Sequence, residues 1–233
     1  MINFACVYYG NKYSFPYVKN LHNMVERNLT IPHKFICFTD NTVIAQRKEF
    51  RRTNIEFRQF KRHDLQGWFN KLQLFSPDSQ LDGNTLYMDL DVVIMKNIDC
   101  FLEIGEDKNF VGMNDFNPTT GNFNSSIMRF NNEYHSKPIW KQYIKRRSEF
   151  SKFHGDQEII SQLIKKHEDT LSFPDEWTQS YKCIIEKVKD TIVRSGHTNK
   201  TQMPRFVYFM ADQTPPNLTK SGLKSFGIRH KCV

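Results

Sequence analysis

No stretch of the 233-residue chain approaches the ~18 consecutive apolar residues that a membrane-spanning helix requires, so no transmembrane anchor is expected. The opening residues Met1-Ile2-Asn3-Phe4 lack the basic start and apolar core of a signal peptide, which points to a soluble, cytoplasmic protein. Cysteine is scarce and scattered, at Cys6, Cys37, Cys100, Cys183 and Cys232. An odd number with no close pair lacks the spacing of a zinc knuckle or a redox motif, and reads as buried thiols in a reducing compartment. There is no internal repeat and no low-complexity tract, which excludes solenoid and fibrous architectures. Acidic residues thin out towards the C-terminal end, where from Lys182 to Val233 only Glu186, Asp190 and Asp212 stand against ten Lys or Arg.

What is present is a globular composition, with 39% apolar, 14% aromatic and 25% charged residues. The formal charge of +8 lies almost wholly in that C-terminal segment, so the rest of the chain is nearly neutral. A basic segment on a neutral body suggests an anionic partner, whether a phosphate-bearing ligand, a lipid surface or nucleic acid; a solvated face kept basic for solubility explains it equally well.

Phe4 to Gly10 is an apolar run closed by Gly and Asn, the pattern of a buried strand. Tyr17, Val18, Leu21, Met24 and Val25 then fall on one helical stripe ending at Asn28. His33 to Asp40 and Ile55 to Phe60 read as strands, completing a βαβ unit whose ligands bind at the C-terminal strand ends. Trp68 to Phe75 suits a helix stopped before Pro77. Thr85 to Met95, Phe110 to Asn114 and Ser125 to Phe130 read as strands. Ser136 and Asp156 can each cap a helix, and Arg205 to Met210 is a late strand.

The most apolar window, Thr85 to Met95, carries two carboxylates, Asp89 and Asp91. Fourteen aspartates in 233 residues give about one such spacing by chance, so only the context is informative. In an extended strand, residues two apart share a face. Two like charges ~4 Å apart repel by about 4 kcal/mol at an effective dielectric of ~20, so a cation is expected between them. Oxygen ligands suit Mn2+ or Mg2+, with phosphate oxygens completing the shell. Lys71 is the lone charge in an apolar helix, a position from which lysine more often snorkels to water than binds a ligand. Asn124, Ser125 and Ser126 form a polar turn entering a strand, with groups able to bond a polyol. His154-Gly155-Asp156-Gln157 opens a helix, where Asp156 suits an N-cap.

In order and spacing, these segments resemble nucleotide-sugar glycosyltransferases of the GT-A fold, most closely the family 8 (glycogenin-like) and family 32 enzymes. The likeness runs over about residues 1–185. It rests on the opening strand with Asn11 and Tyr13, Phe38-Thr39-Asp40, Gly67 to Lys71, Leu86 to Ile94, Asn124 to Arg129, Gly155-Asp156-Gln157, and Phe173-Pro174 with Trp177, Tyr181 and Lys182. The resemblance implies an α/β fold, a single GT-A (Rossmann-like) domain over 1–233 whose mixed, mainly parallel central sheet is flanked by helices. Residues 1–100 would bind the nucleotide, 101–185 the sugar and acceptor, and 186–233 would form the basic, loop-rich end.

It further implies transfer of a hexose, with retention, from a UDP-linked sugar to an acceptor hydroxyl of a glycan or glycoconjugate. Asp91 would bind Mn2+ (or Mg2+), and Asp89 would serve the ribose and the metal. Tyr8, Asn11 and Tyr13 would hold the base, with Asp40 joining them in binding the donor. Lys71 would face the phosphates or donor sugar, Asn124 would contact a sugar, and Asp156 with Gln157 would line the pocket near the reacting carbon.

The pattern departs from the family at one place: Met210 stands where a metal-binding His is expected, leaving Asp212, His197, His230 or water to complete the shell. Two rival readings remain. Met88-Asp89-Leu90-Asp91-Val92-Val93 also matches haloacid-dehalogenase-type phosphatases, although their motif opens the domain and a later acidic pair is incomplete here. A non-enzymatic basic module would use the C-terminal charge and Lys145-Arg146-Arg147, but no nucleic-acid-binding signature accompanies them. Nucleic acid is therefore not an expected partner, while peripheral contact with an anionic membrane through the basic segment is.

Overall fold

The computed structural model describes residues 1–41, 43, 53–132, 137–164, 169–180 and 207–209. Strand β1 (Ile2–Tyr8) leads through helix α1 (Pro16–Asn28) to β2 (His33–Thr39) and then β3 (Ile55–Gln59). These strands pair in parallel, Cys6 beside Cys37 and Cys37 beside Phe57, as the βαβ reading predicts. Proline at the first position of α1 sets its φ without losing a needed N–H. Its stripe of Val18, Leu21 and Val25 is buried against Phe4 and Phe35 of the sheet.

The chain continues through β4 (Asn84–Met88), β5 (Val92–Ile94), a short helix α2 (Cys100–Glu103), β6 (Phe110–Asn114) and β7 (Phe123–Asn131). Helices α3 (Lys137–Lys145), α4 (Arg147–Phe150) and α5 (Asp156–Ile164) follow, then β8 (Thr170–Ser172), β9 (Thr178–Ser180) and β10 (Val207–Phe209). The main sheet has seven strands in the order β3-β2-β1-β4-β7-β6-β8, with β7 antiparallel to both neighbours. A smaller sheet holds β5-β10-β9.

The main sheet separates two apolar clusters. Alternation along β1 sends Phe4, Cys6 and Tyr8 to the α1 side, and Ala5, Val7 and Tyr9 to the side of α3 and α5. This is the mixed, mainly parallel, helix-flanked sheet expected from the sequence.

Two elements differ from expectation. Thr85 to Met95 reads as one strand, yet the main-sheet strand ends at Met88, and a turn closed by Val92 N–H to the Asp89 carbonyl (3.2 Å) intervenes. The chain must change sheets at this point, because β4 pairs with β1 and β7 whereas β5 pairs with β10. The two aspartates thus sit on a turn rather than on one face of a strand.

The helix at Gly67–Phe75 is 3₁₀, not α. Three-residue turns eclipse positions i and i+3, and here Gln73 Nε2 donates to Asn70 Oδ1 (2.9 Å) while Asn70 Nδ2 donates to the Gly67 carbonyl (3.0 Å). Of the late strand, Val207–Phe209 is present; Ser136 and the remainder of the basic segment lie outside the described residues.

Candidate active site

The parallel strands β1 and β4 end side by side, and a cavity of about 470 Å3 opens beyond their C-terminal ends. The β1–α1 loop gives it Gly10, Asn11, Lys12 and Tyr13, and the turn after β4 gives Asp89, Leu90 and Asp91. The 3₁₀ helix adds Gly67, Trp68 and Lys71, β7 adds Ser125 and Ser126, and the start of α5 adds Gly155, Asp156 and Gln157. Local backbone chemistry shapes this wall: Gly10 and Gly67 both adopt positive φ, at 62° and 57°, where a side chain is strained.

Lys71 does not reach water. It is buried, with its ammonium 3.0 Å from Asp89 Oδ1 and 3.0 Å from Asp156 Oδ2. It also donates to the Ser125 carbonyl (3.2 Å) and hydroxyl (3.1 Å). Burial alone would push this amine towards neutrality, but the Asp156 and Asp89 carboxylates overturn that and hold it above the ordinary lysine range. Asp156, expected as a helix cap, directs its carboxylate to Lys71 instead. Tyr87, on β4, completes the cluster by donating its hydroxyl to Asp89 Oδ1 (2.6 Å). Burial and the Asp89 charge raise the Tyr87 phenol, so its proton stays in place.

Asp91 is held differently. Its Oδ2 accepts the Tyr13 hydroxyl at 2.6 Å, and among the described residues it forms no ion pair. Burial, then the neighbouring Asp89 charge, raises its carboxyl above the usual range. Burial and Asp91 likewise raise the Tyr13 phenol, which therefore remains a donor. The cation predicted between the two aspartates is thus partly supplied by the protein: Lys71 pairs with Asp89, whereas Asp91 makes no ion pair among the described residues and the Lys12 charge offsets its upward shift only in part.

No family model matches the sequence, and no curated protein matches it. Several solved structures do match in three dimensions. The glycosyltransferase GlyE of Streptococcus pneumoniae is 16% identical and superposes over 91% of this chain and 56% of its own, with a TM-score of 0.59. An active-site mutant of LgtC gives 13% identity, 91% and 88% coverage and a TM-score of 0.54. Mouse xyloside xylosyltransferase 1 gives 11% identity, 92% and 99% coverage and a TM-score of 0.55. The chain has the GT-A glycosyltransferase fold. It spans just over half the length of GlyE and most of the length of the other two.

Within this GT-A fold, Asn11, Tyr13, Lys71, Asp89, Asp91, Asp156 and Gln157 all lie on one cavity wall. Three other sequence-derived candidates lie elsewhere. Tyr8 points into the core, edge-on to Phe15, because strand alternation gives the cavity side to Val7 and Tyr9. The Asp40 carboxylate accepts the Gly10 backbone N–H (3.2 Å) and so anchors the loop behind the cavity. Asn124 turns its Oδ1 to the backbone N–H of Ser126 (2.9 Å).

Ser125 and Ser126 of the polar turn do line the cavity, whereas Tyr9, Trp68 and Tyr87 are cavity residues that spacing does not single out individually; the alternation of β1 carried the signal for Tyr9. His197, Met210, Asp212 and His230 lie outside the described residues. No described helix is long and apolar enough to cross a membrane.

Proposed function

We propose that the chain transfers a hexose from a UDP-linked sugar to an acceptor hydroxyl of a glycan or glycoconjugate, with retention of anomeric configuration and with Mn2+ or Mg2+ on the aspartate pair. The observation that carries this reading is the gathering of Asp89, Asp91, Lys71, Asp156 and Gln157 around one cavity at the strand ends. That is where α/β folds bind nucleotides.

The donor set fits a hard divalent cation. Asp91 is half-buried, without an ion pair among the described residues, and raised by desolvation and then by its carboxylate neighbour, and Asp89 lines the same cavity. Among the described residues no third His, Cys, Asp or Glu joins them, so phosphate oxygens and water would fill the remaining positions. Bound there, the cation supplies positive charge to the leaving diphosphate.

The chain's own residues divide the remaining work. Asn11 and Tyr13 line the end of the cavity formed by the β1–α1 loop and hold the base and ribose. Lys71 gives two hydrogen bonds to Ser125 and pairs ionically with Asp89 and Asp156, so its charge is already matched within the protein. Its role is to keep Asp89 and Asp156 at a fixed separation, joining the nucleotide end of the cavity to the sugar end. Asp156 and Gln157, at the start of α5, flank the transferred sugar. Gln157 shares its residue type with the position altered in the LgtC active-site mutant. The basic C-terminal segment is proposed to meet an anionic acceptor or membrane surface.

The test is a thermal-shift panel of nucleotides and nucleotide-sugars with and without MnCl2, followed by UDP release from each stabilising sugar nucleotide. Stabilisation by UDP that requires the metal, together with UDP release, supports the reading. Hydrolysis of phosphomonoesters with no turnover of any sugar nucleotide would transfer the assignment to a phosphatase.

A further inference from the structure

Gln157 is an uncharged amide at the cavity wall, and an amide presents opposite chemistry at its two ends. Which end faces the cavity is decided by Asp115, a residue outside the cavity lining. Gln157 Nε2 donates to Asp115 Oδ2 at 3.0 Å. A carboxylate accepts and cannot donate, so only the NH2 end can lie against it. The carbonyl end, Oε1, is thereby the one left for the cavity.

Asp115 is itself held by its own loop. The Thr120 hydroxyl donates to the same Oδ2 (2.8 Å), and the Asn117 N–H donates to Oδ1 (3.3 Å). The Asp115 N–H bonds to the Asn122 carbonyl (3.0 Å), closing the β6–β7 loop upon itself. Every side-chain contact of Asp115 is a donor, so its carboxylate has one consistent arrangement.

We infer that Asp115 is a positioning residue: by binding the NH2 end of Gln157 it directs the amide oxygen at the sugar carbon where positive charge develops during transfer. This rests on the glycosyl-transfer reading given above. An oxygen lone pair favours an oxocarbenium-like centre, whereas an NH2 group at the same place opposes it. The Asn variant makes the sign testable. With the Asn117 N–H still requiring an acceptor, Asp115→Asn turns its own NH2 towards Gln157, and the Gln157 amide reverses to match.

The experiment measures UDP release from UDP-glucose and UDP-galactose with MnCl2, UDP affinity by calorimetry, and the Gln157 side-chain amide signals by 15N NMR. Asp115→Ala and Asp115→Asn should each lower kcat about 10²-fold, the scale seen when one aligned polar group is lost from a reacting centre. KM and UDP affinity should stay within about threefold, since Asp115 lies outside the cavity lining. The Gln157 amide signals should shift in both variants.

Parent-like kcat, a rise in KM without loss of kcat, or Gln157 signals unmoved by either substitution would overturn the positioning role. A parent protein that neither binds UDP with Mn2+ nor turns over either sugar nucleotide would instead overturn the glycosyl-transfer reading, and with it this inference.

Discussion

The two aspartates of the turn after β4 are separated by one residue, Leu90, and differ widely in electrostatic circumstance. Asp89 faces a buried ammonium and a tyrosine hydroxyl, whereas Asp91 faces a tyrosine hydroxyl and feels Lys12 without an ion pair among the described residues. The first is a balanced, internal part of the fold; the second is a charge left partly uncompensated at the cavity. The same residue type at the same motif can therefore serve architecture on one side of a turn and ligand capture on the other. Changes to the two sides should fail in different ways.

The largest effect is expected on the balanced side. Removing Lys71 strands two carboxylates, one of them buried at Asp156, and breaking such a pair typically costs about 3–5 kcal/mol. Urea unfolding of Lys71→Ala should show that loss. Adding Asp156→Ala to it should return part of the stability, since fewer unpaired charges are then buried. A Lys71→Ala protein as stable as the parent would erase the contrast between the two aspartates.

On the other side, under the proposed function Asp91→Asn should fold normally yet lose metal-dependent stabilisation by UDP, which for the parent would be about 2.7 kcal/mol at a hundredfold excess over Kd. Undiminished stabilisation in a thermal melt would reassign the metal. Tyr13→Phe should come next, at about 1–2 kcal/mol for one hydrogen bond to a charged acceptor. Its loss should nearly disappear in the Asp91→Asn background, which a double-mutant cycle can read.

The smallest effect is on pH dependence. The folded-state carboxyl of Asp91 is raised above 3.8, so its contribution to stability is complete below that value and declines as pH rises through the folded-state value. Asp91→Asn should therefore be the more stable protein at pH 7, and the two curves should converge on acidification. Parallel curves would show that Asp91 is not desolvated.

This contrast also marks what could be read from the residues alone. The βαβ front, β6 and the α5 stripe follow from local periodicity, and the apolar window around Asp89 and Asp91 draws notice to the pair that the structure places on the cavity. Local patterns state which face a residue takes, as they do for Tyr9 over Tyr8 once the register of β1 is set. The partners of Lys71 were not legible, because Asp156 lies 85 positions further on and only the packing of α5 against the 3₁₀ helix brings it near.

The strand break at Asp89 was also hidden. Val92, Val93 and Ile94 are as strand-like as Leu86 and Met88, and the change of sheet is dictated by β10, a distant segment. The link between Asp115 and Gln157 escapes for the same reason, since it joins a loop to a helix with β7 and two helices between them in the chain.

The pairing of β5 with β10 bears on the order in which the molecule can be built. Val92 pairs with Val207, so the strand that follows the aspartate turn acquires this neighbour only when residues far downstream are available. During synthesis the parallel strands β1 to β4 can associate early, while β5 waits as an open edge. The long sequence separation makes this closure one of the slower steps of folding. The aspartate turn itself is held by Tyr13, Lys71, Tyr87 and Ser126, so it is β5 beyond it, and not the turn, whose pairing waits for the late strand.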